Sequence, residues 1–407
     1  MSSAERQLAE TIRAEGARIL ATLVRIVGDL HIAEDAVQDA AMRALRQWPV
    51  TGIPDSPRAW LTVTARRAAI DVLRREGARN AKERAAVDLC FDDEPPEPVV
   101  QDDMLRLIFT CAHPALSLEA QVTLALRVLC GLSTAQIASV LLSSEAAVAK
   151  RLTRTRAKIA RAGIPYQVPS AADLPARLAA VCAVVFTLYT SAHTAISGPH
   201  VSDVDGCREA VRLARLVLDL MPDEGAPMSV LALLLLTEAR RGARADAGGH
   251  PVVLAEQDRG AWDPAAIEEG CRLLDTSLRR SGGIADPYQL QAAIAAEHAR
   301  AASYRDTDWA EIVRLYTLLV EVQPSSASRL ARAVAVAEHW GPAAGLAELA
   351  ELEPDQRWHA VRAELLARDG RYADAIDDMT ASLAGPVSDA EADHRRALIA
   401  RWTRQAP

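Results

Sequence analysis

The sequence predicts an all-α protein, built as two small helical modules followed by a larger α-helical, repeat-like domain. Three observations predict it. Half of the 407 residues are hydrophobic and only 4% are aromatic, and the chain is rich in Ala, Leu, Arg and Glu, a mix that favours helices. Apolar residues recur at helical spacing, and strand-type alternation is nearly absent. Short Pro/Gly turns break the Ala/Leu-rich second half into helix-length pieces.

Taken in order, residues 1–85 read as helices with one Pro-rich interruption, Trp48 to Pro57. Residues 86–103 contain many Asp, Glu and Pro and no basic residue, which predicts a flexible acidic linker. Residues 104–165 return to helix and end in a basic one. From 166 to 407 amphipathic stretches follow, among them Glu209–Met221, Trp309–Val322, Ala343–Leu352 and Tyr372–Leu383. The unit around Ala363, Gly370, Tyr372 and Ala375 has the spacing that packs two antiparallel helices in a tetratricopeptide repeat; the other units match it poorly, and a compact irregular helical domain is the alternative.

Charge is unevenly placed. The net charge is -8, yet residues 1–165 carry +2 and the remainder carries -10, with eight basic against three acidic residues between Arg58 and Arg84. Local basic patches rather than the mean are what nucleic acid feels. Six cysteines stand far apart with no metal-ligand spacing, so they read as free thiols in a reducing compartment. No pattern suggests a metal or another cofactor. The longest apolar runs, Leu178–Tyr189 and Val230–Leu236, fall short of the roughly 20 residues a bilayer needs. The expectation is a cytoplasmic protein without membrane contact.

The sharpest signal is Ser144–Arg161. At about 100° per residue, Lys150, Arg151, Arg154, Lys158 and Arg161 share one side of a helix, while Val148, Leu152 and Ile159 share another. Glu145 is the only carboxylate in this stretch, whereas an ordinary solvated helix mixes signs to form i,i+4 pairs. Ser133-Thr-Ala-Gln136 forms a capping box that opens a shorter preceding helix. Ala138 and Val148 then sit where two helices of a helix-turn-helix cross. In this reading Ser144 caps the second helix, Arg151 and Arg154 reach base edges, and Lys158 and Arg161 contact phosphates.

A second constellation starts at Ser56-Pro57, an N-cap and N1 pair. Leu61, Ala65, Ala68 and Val72 form its apolar face. Trp60, Arg67 and Arg74 line the opposite side with Asp71 beside them. An indole among guanidiniums suits strand-separated DNA, or Trp60 is a packed core indole and Asp71 an intrahelical partner of its neighbouring arginines.

These pieces together resemble the sigma-70 family of bacterial RNA polymerase sigma factors. Residues 16–80, with Ala33-Glu-Asp-Ala-Val-Gln-Asp39 and Pro57–Arg66, are similar to region 2. Residues 104–163, with Gly131–Ala138, Val148 and Arg151–Arg156, are similar to region 4. The short linker resembles the extracytoplasmic-function (ECF, group IV) sigma factors. The segments Arg106–Ser117, Gly163–Pro165 and Asp286–Ala295 resemble those of the subgroup with a long, tetratricopeptide-like C-terminal extension.

The resemblance implies that Glu34, Asp35, Gln38 and Asp39 dock the clamp helices of core RNA polymerase. It implies that Trp60, Arg66, Arg67, Arg74 and Arg75 read and open the -10 element. It places Ser144, Lys150, Arg151, Arg154, Arg156, Lys158 and Arg161 at the -35 element, with region 4 also touching the polymerase flap. Arg67 departs from the Asn often found there, and Phe186–His193 departs from an Asn-Glu-Gly-Tyr segment of the subgroup. The implied role is non-enzymatic, with core polymerase and promoter DNA as partners and an acidic extension that contacts the sigma modules and regulates them.

Two other classes fit parts of the sequence. A helix-turn-helix regulator with a helical-repeat sensor domain would bind duplex DNA alone, which leaves the first 85 residues without a purpose. An enzyme would need His193, His200, Asp203 and Asp205, the only local cluster suggestive of acid/base or metal chemistry in the C-terminal half; loop polarity explains these residues equally well.

Overall fold

The computed structural model describes residues 3–76, 97–141, 143–193, 204–246, 248–283, 285–385 and 387–405. Among them the protein is all-α, with a single isolated antiparallel bridge, Ala245 to Pro251, and no strand. The chain divides into two compact units, Met1–Thr187 and Leu188–Pro407.

The first unit opens with α1 (Ser3–Val27), α2 (Leu30–Thr51) and α3 (Pro57–Glu76), which pack on one another. Ile19, Leu23 and Leu61 are fully buried in this unit, and Ala36, Ala40, Ala44, Ala65 and Ala69 are buried on α2 and α3. Small residues there let the helix backbones approach closely. Asp29 caps α2, accepting from the His31 and Ile32 amides. The expected Trp48–Pro57 interruption is shorter than the sequence suggested, because α2 runs through Pro49 to Thr51. Pro49 removes only one amide near the helix end, and Trp48, at 2% exposure, anchors the last turn.

The linker expectation also needs correction. Residues 77–96 lie outside the described residues, and with them most of the expected linker, but Glu97–Asp103 is the first half of α4 (Glu97–Cys111). Pro98 near the start of that helix costs no intrahelical bond. Asp103 is fully buried and takes a 2.8 Å hydrogen bond from Arg25 Nε and a 3.2 Å bond from Arg106. Tyr166 donates to the carbonyl oxygens of both Ala21 and Asp103 (2.9 and 2.7 Å). These bonds join α1, α4 and the segment after the basic helix.

Three further helices, α5 (Leu118–Val128), α6 (Thr134–Val140) and α7 (Glu145–Ala162), complete the second module. Next, α8 (Leu174–His193) crosses the division between the units and is 20 residues long. It is therefore longer than the apolar run Leu178–Tyr189 suggested, and by length and composition it passes the test for a membrane-spanning helix. Leu178, Val181, Cys182, Val184, Val185 and Leu188 are nevertheless buried in the protein, as a core helix requires.

In the second unit, α9 (Val204–Leu220), α10 (Gly225–Glu238), α11 (Pro264–Arg280), α12 (Pro287–Arg300), α13 (Trp309–Val322), α14 (Ser326–Trp340), α15 (Pro342–Leu349), α16 (Gln356–Arg368), α17 (Tyr372–Ala381) and α18 (Asp389–Thr403) each pack on the next in sequence. α10 is buried from Pro227 to Leu236 and forms the unit's apolar centre. Ala363 and Ala375 are both fully buried where α16 meets α17, the pair singled out by the repeat spacing. Of the six cysteines, Cys111, Cys130, Cys182, Cys207 and Cys271 are in no disulfide, as expected; Cys90 lies outside the described residues.

Two helix backbones approach closely at Gly345. A Cβ there would fall 2.5 Å from Ala337 Cβ and 2.8 Å from the Ala333 carbonyl oxygen, so α14 and α15 would have to part. Gly345→Ala is expected to destabilise the second unit by about 2 kcal/mol, the overpacking scale, read as a lower urea midpoint.

Candidate nucleic-acid interface

The helix-turn-helix is α6 and α7. Ser133 and Gln136 form the reciprocal capping box: Gln136 N–H donates to Ser133 Oγ (3.2 Å) and Ser133 N–H to Gln136 Oε1 (2.9 Å). Ile137 and Ala138 are buried beneath α7. In the turn, Ser143 N–H donates to Ala138 O (2.9 Å); Leu142 lies outside the described residues. Ser144 caps α7 by accepting from Ala147 N–H (3.2 Å). Gly163, at φ 58°, ends the helix in the left-handed conformation that glycine adopts most easily.

Val148 and Leu152 bury the inner face of α7, each worth about 1.5–3 kcal/mol of apolar transfer. On the outer side Lys150, Arg154, Lys158 and Arg161 are exposed. At intervals of four, four and three residues they form one row, and none has an ion pair among the described residues. This is the charged edge the periodicity predicted.

Two other predicted DNA contacts are placed differently. Arg151 donates to Thr123 Oγ1 (3.3 Å) and pairs with Glu119, both on α5. Arg156 forks onto Glu34 of α2, Nε to Oε2 at 2.9 Å and a second nitrogen to Oε1 at 2.8 Å. The helical wheel explains both. Counting from Lys150, Arg151 lies at about 100° and Arg156 at about 240°, on either flank of a buried face centred near 170°. Both side chains therefore lie along protein rather than on the outer edge.

Glu34 itself is 5% exposed and also meets Arg127 at 3.5 Å. Of the residues expected to dock polymerase, it is thus covered by the second module. Asp35 and Gln38 are exposed, Asp35 beside His31 at 3.3 Å, and Asp39 is paired with Arg43 at 2.8 Å. A cleft of about 590 Å³ lies alongside, lined by Gly28–His31 of the first module and by Arg156, Ile159 and Tyr166. Sequence reasoning missed Arg25, Asp103, Arg127 and Tyr166, which hold the two modules together with Glu34 and Arg156. Their partners across the modules are 63 to 145 residues away, and one sequence carries no signal for such pairs.

On α3, Ser56 caps at 3.4 Å to Ala59 N–H. Arg67, Asp71 and Arg74 are exposed, and Trp60 and Arg66 are half-buried. Trp60 rests edge-on against Trp48, ring centroids 5.7 Å apart, so one edge of its indole is packed and the rest is open. The side chain of Arg75 lies outside the described residues. Of the enzyme cluster, His193 is at the end of α8; His200, Asp203 and the side chain of Asp205 lie outside the described residues.

Two helical modules, one a helix-turn-helix with an exposed row of cations and the other with arginines around an indole, define a sigma-type DNA-binding protein. Residues 11–79 match the family Sigma-70 region 2, residues 106–159 match Sigma-70 region 4, and residues 177–278 match a family of unknown function (DUF6596). The chain is 41% identical to an uncharacterized protein of Rhizobium meliloti over 93% of its own length and 91% of that protein. It is 33% identical to the ECF RNA polymerase sigma factor SigL of Mycobacterium tuberculosis, over 37% of this chain and 86% of SigL. To the probable ECF RNA polymerase sigma factor SigI of the same species it is 32% identical, over 39% of this chain and 56% of SigI. The chain belongs to the ECF RNA polymerase sigma factors. These are non-enzymatic transcription initiation factors, and their partners are core RNA polymerase and promoter DNA.

Proposed function

We propose that the chain grips a two-part promoter. The exposed edge of α7 enters the major groove of the -35 element, with Arg154 at base edges and Lys150, Lys158 and Arg161 at phosphates. The N-terminal turn capped by Ser144 adds amides that favour a phosphate. The α3 helix handles the -10 element: Arg66, Arg67, Arg74 and Arg75 neutralise the backbone and Trp60 offers a stacking face. Asp35, Gln38 and Asp39 dock the polymerase clamp helices, and the second module touches the flap. The observation that carries this reading is the exposed, unpaired row Lys150, Arg154, Lys158 and Arg161 on the second helix of the helix-turn-helix.

Glu34 and Arg156 hold each other, so polymerase engagement through Glu34 requires the modules to separate. Separation also frees Arg156. The α-helical, tetratricopeptide-like C-terminal extension, which carries most of the negative charge, regulates these events by contact with the sigma modules. The reading predicts promoter-specific run-off transcripts from purified core polymerase plus the full chain, and none from core alone. Tight binding to duplex promoter DNA without polymerase, and no initiation with it, would favour the free-standing helix-turn-helix regulator with a sensor domain. Removing residues 194–407 should change transcript yield; an unchanged yield would refute regulation by the extension.

A further inference from the structure

Positive charge is concentrated inside the second unit, where the sigma function makes no use of it. Just after α10 the chain passes Arg240, a short 3-10 turn at Arg241–Ala243, and Arg244. A second 3-10 turn, Arg259–Ala261, packs against the first, and Asp263 N–H donates to Ala239 O at 2.8 Å. Arg259 donates to the carbonyl oxygens of His298 and Ala301 and lies over the Trp262 ring at 4.8 Å. Arg244 donates to His193 O (3.0 Å) and lies 3.1 Å from His193 Nδ1. Arg240 has neither a hydrogen bond nor an ion pair among the described residues.

Glu238 and Glu391 face Arg244 and Asp306 faces Arg259, but no carboxylate among the described residues answers Arg240. Glu238 already accepts from the Tyr189 hydroxyl (3.1 Å) and from Arg241 (3.0 Å). The two imidazoles do not answer it either. Burial, reinforced by the neighbouring guanidiniums, lowers His193 to about 3 and His298 to about 4, so both are neutral. His298 Nδ1 is buried and unpartnered. Burial and Arg244 likewise lower Arg240, to about 10, which leaves it cationic at neutral pH. Arg240 is half-buried, and a cation placed beside two others without an acceptor is unfavourable unless a counter-charge arrives.

We propose that Arg240, flanked by Arg244 and Arg259, binds the phosphate group of a small molecule inside the C-terminal unit. A guanidinium fork matches phosphate geometry, and a dianion offsets two cations where a carboxylate offsets one. Nearby, ligand atoms of His193, Cys207 and Glu238 lie within 4.8 Å of one another, a spacing that could suit a metal ion. A metal is the poorer occupant, because His193 Nδ1 faces Arg244 and the Glu238 oxygens are already engaged. This inference is independent of the promoter reading.

The test is thermal unfolding of the full chain at fixed ionic strength, with inorganic phosphate, glucose 6-phosphate or Zn²⁺ added. Phosphate at ten times its Kd should raise the Tm of the C-terminal transition by about 3–6 °C. A larger rise with glucose 6-phosphate at equal concentration identifies an ester as the ligand; an equal or smaller one identifies free phosphate. Arg240→Gln should abolish the rise while leaving Tm without phosphate unchanged or higher, since it removes a cation repelled by its neighbours. A purely structural arginine would do the reverse. Arg396→Gln, at an exposed residue paired with Asp393, should keep the phosphate response. If Arg240→Gln does not fold, Arg240→Lys, which keeps the charge but loses the fork, should bind phosphate about tenfold more weakly. No phosphate shift in the wild-type chain, equal shifts in the wild-type and Arg240 variants, or a shift with Zn²⁺ alone overturns the proposal.

Discussion

Arg154→Ala is expected to cut promoter-specific initiation about tenfold to hundredfold, the loss of one bidentate base contact worth about 1–3 kcal/mol. The residue is exposed, lies near the middle of the cationic row and has no partner among the described residues, so stability should hold. Its loss should fall mainly on one base position, and initiation on sequences altered at that position should suffer little further. Lys158→Ala is the internal comparison. It should weaken binding evenly across sequences and reduce the salt slope by about one unit. Equal, sequence-independent effects of the two substitutions in gel-shift titrations with the polymerase holoenzyme would remove Arg154 from the base-reading role.

That contrast depends on a helix whose register was legible in the sequence. α7 carries its pattern locally: Val148 and Leu152 inward, Lys150, Arg154, Lys158 and Arg161 outward, Ser144 and Gly163 at the ends. Every one of these assignments follows from the 3.6-residue period and from capping chemistry. The same period separates Arg151 and Arg156 from the outer row once the angles are measured. Arg151 lies at the edge of the cationic arc, and Arg156 joins the -35 set only through the motif shared with region 4.

Other features have no local signature. Asp103 reads as one more acid in a polar segment, yet it is fully buried, and Arg25 from α1 together with Arg106 makes that tolerable. Burial pushes its carboxyl pKa up, while Arg25 and Arg106 pull it down. Pro49 reads as a helix breaker, but the burial of Trp48 outweighs the single lost amide bond. Arg240 reads as one basic residue among many; its isolation appears only when α10 and the two short turns are placed together.

Glu34→Gln is expected to loosen the two sigma modules, at a cost of about 3 kcal/mol to their closed packing. Glu34 accepts two charge-assisted hydrogen bonds from Arg156 and faces Arg127, and its side chain is only 6% exposed. Removing its charge leaves two guanidiniums, 23% and 21% exposed, without their counter-ion, and breaking one side of a buried pair costs about 3–5 kcal/mol. The lower end applies here because both arginines can reach water when the modules part. Arg25 with Asp103, and Tyr166 with two carbonyls, still tie α1 to α4 across the modules, so the opening is confined to the side where α2 faces α7. Small-angle scattering should show a slightly expanded chain, and hydrogen exchange should rise around Ala33–Ala36 and Thr155–Ile159 while the α1–α4 contact stays protected. Arg156→Gln in the same background should restore much of the compactness, since a neutral pair can hydrogen-bond across the same gap. Compaction unchanged in Glu34→Gln would mean that apolar packing alone closes the modules. If the chain opens, transcription separates two roles for this carboxylate. More product from Glu34→Gln identifies the Glu34–Arg156 bond chiefly as a brake; less product from an opened chain identifies Glu34 as a polymerase contact that the closed form conceals.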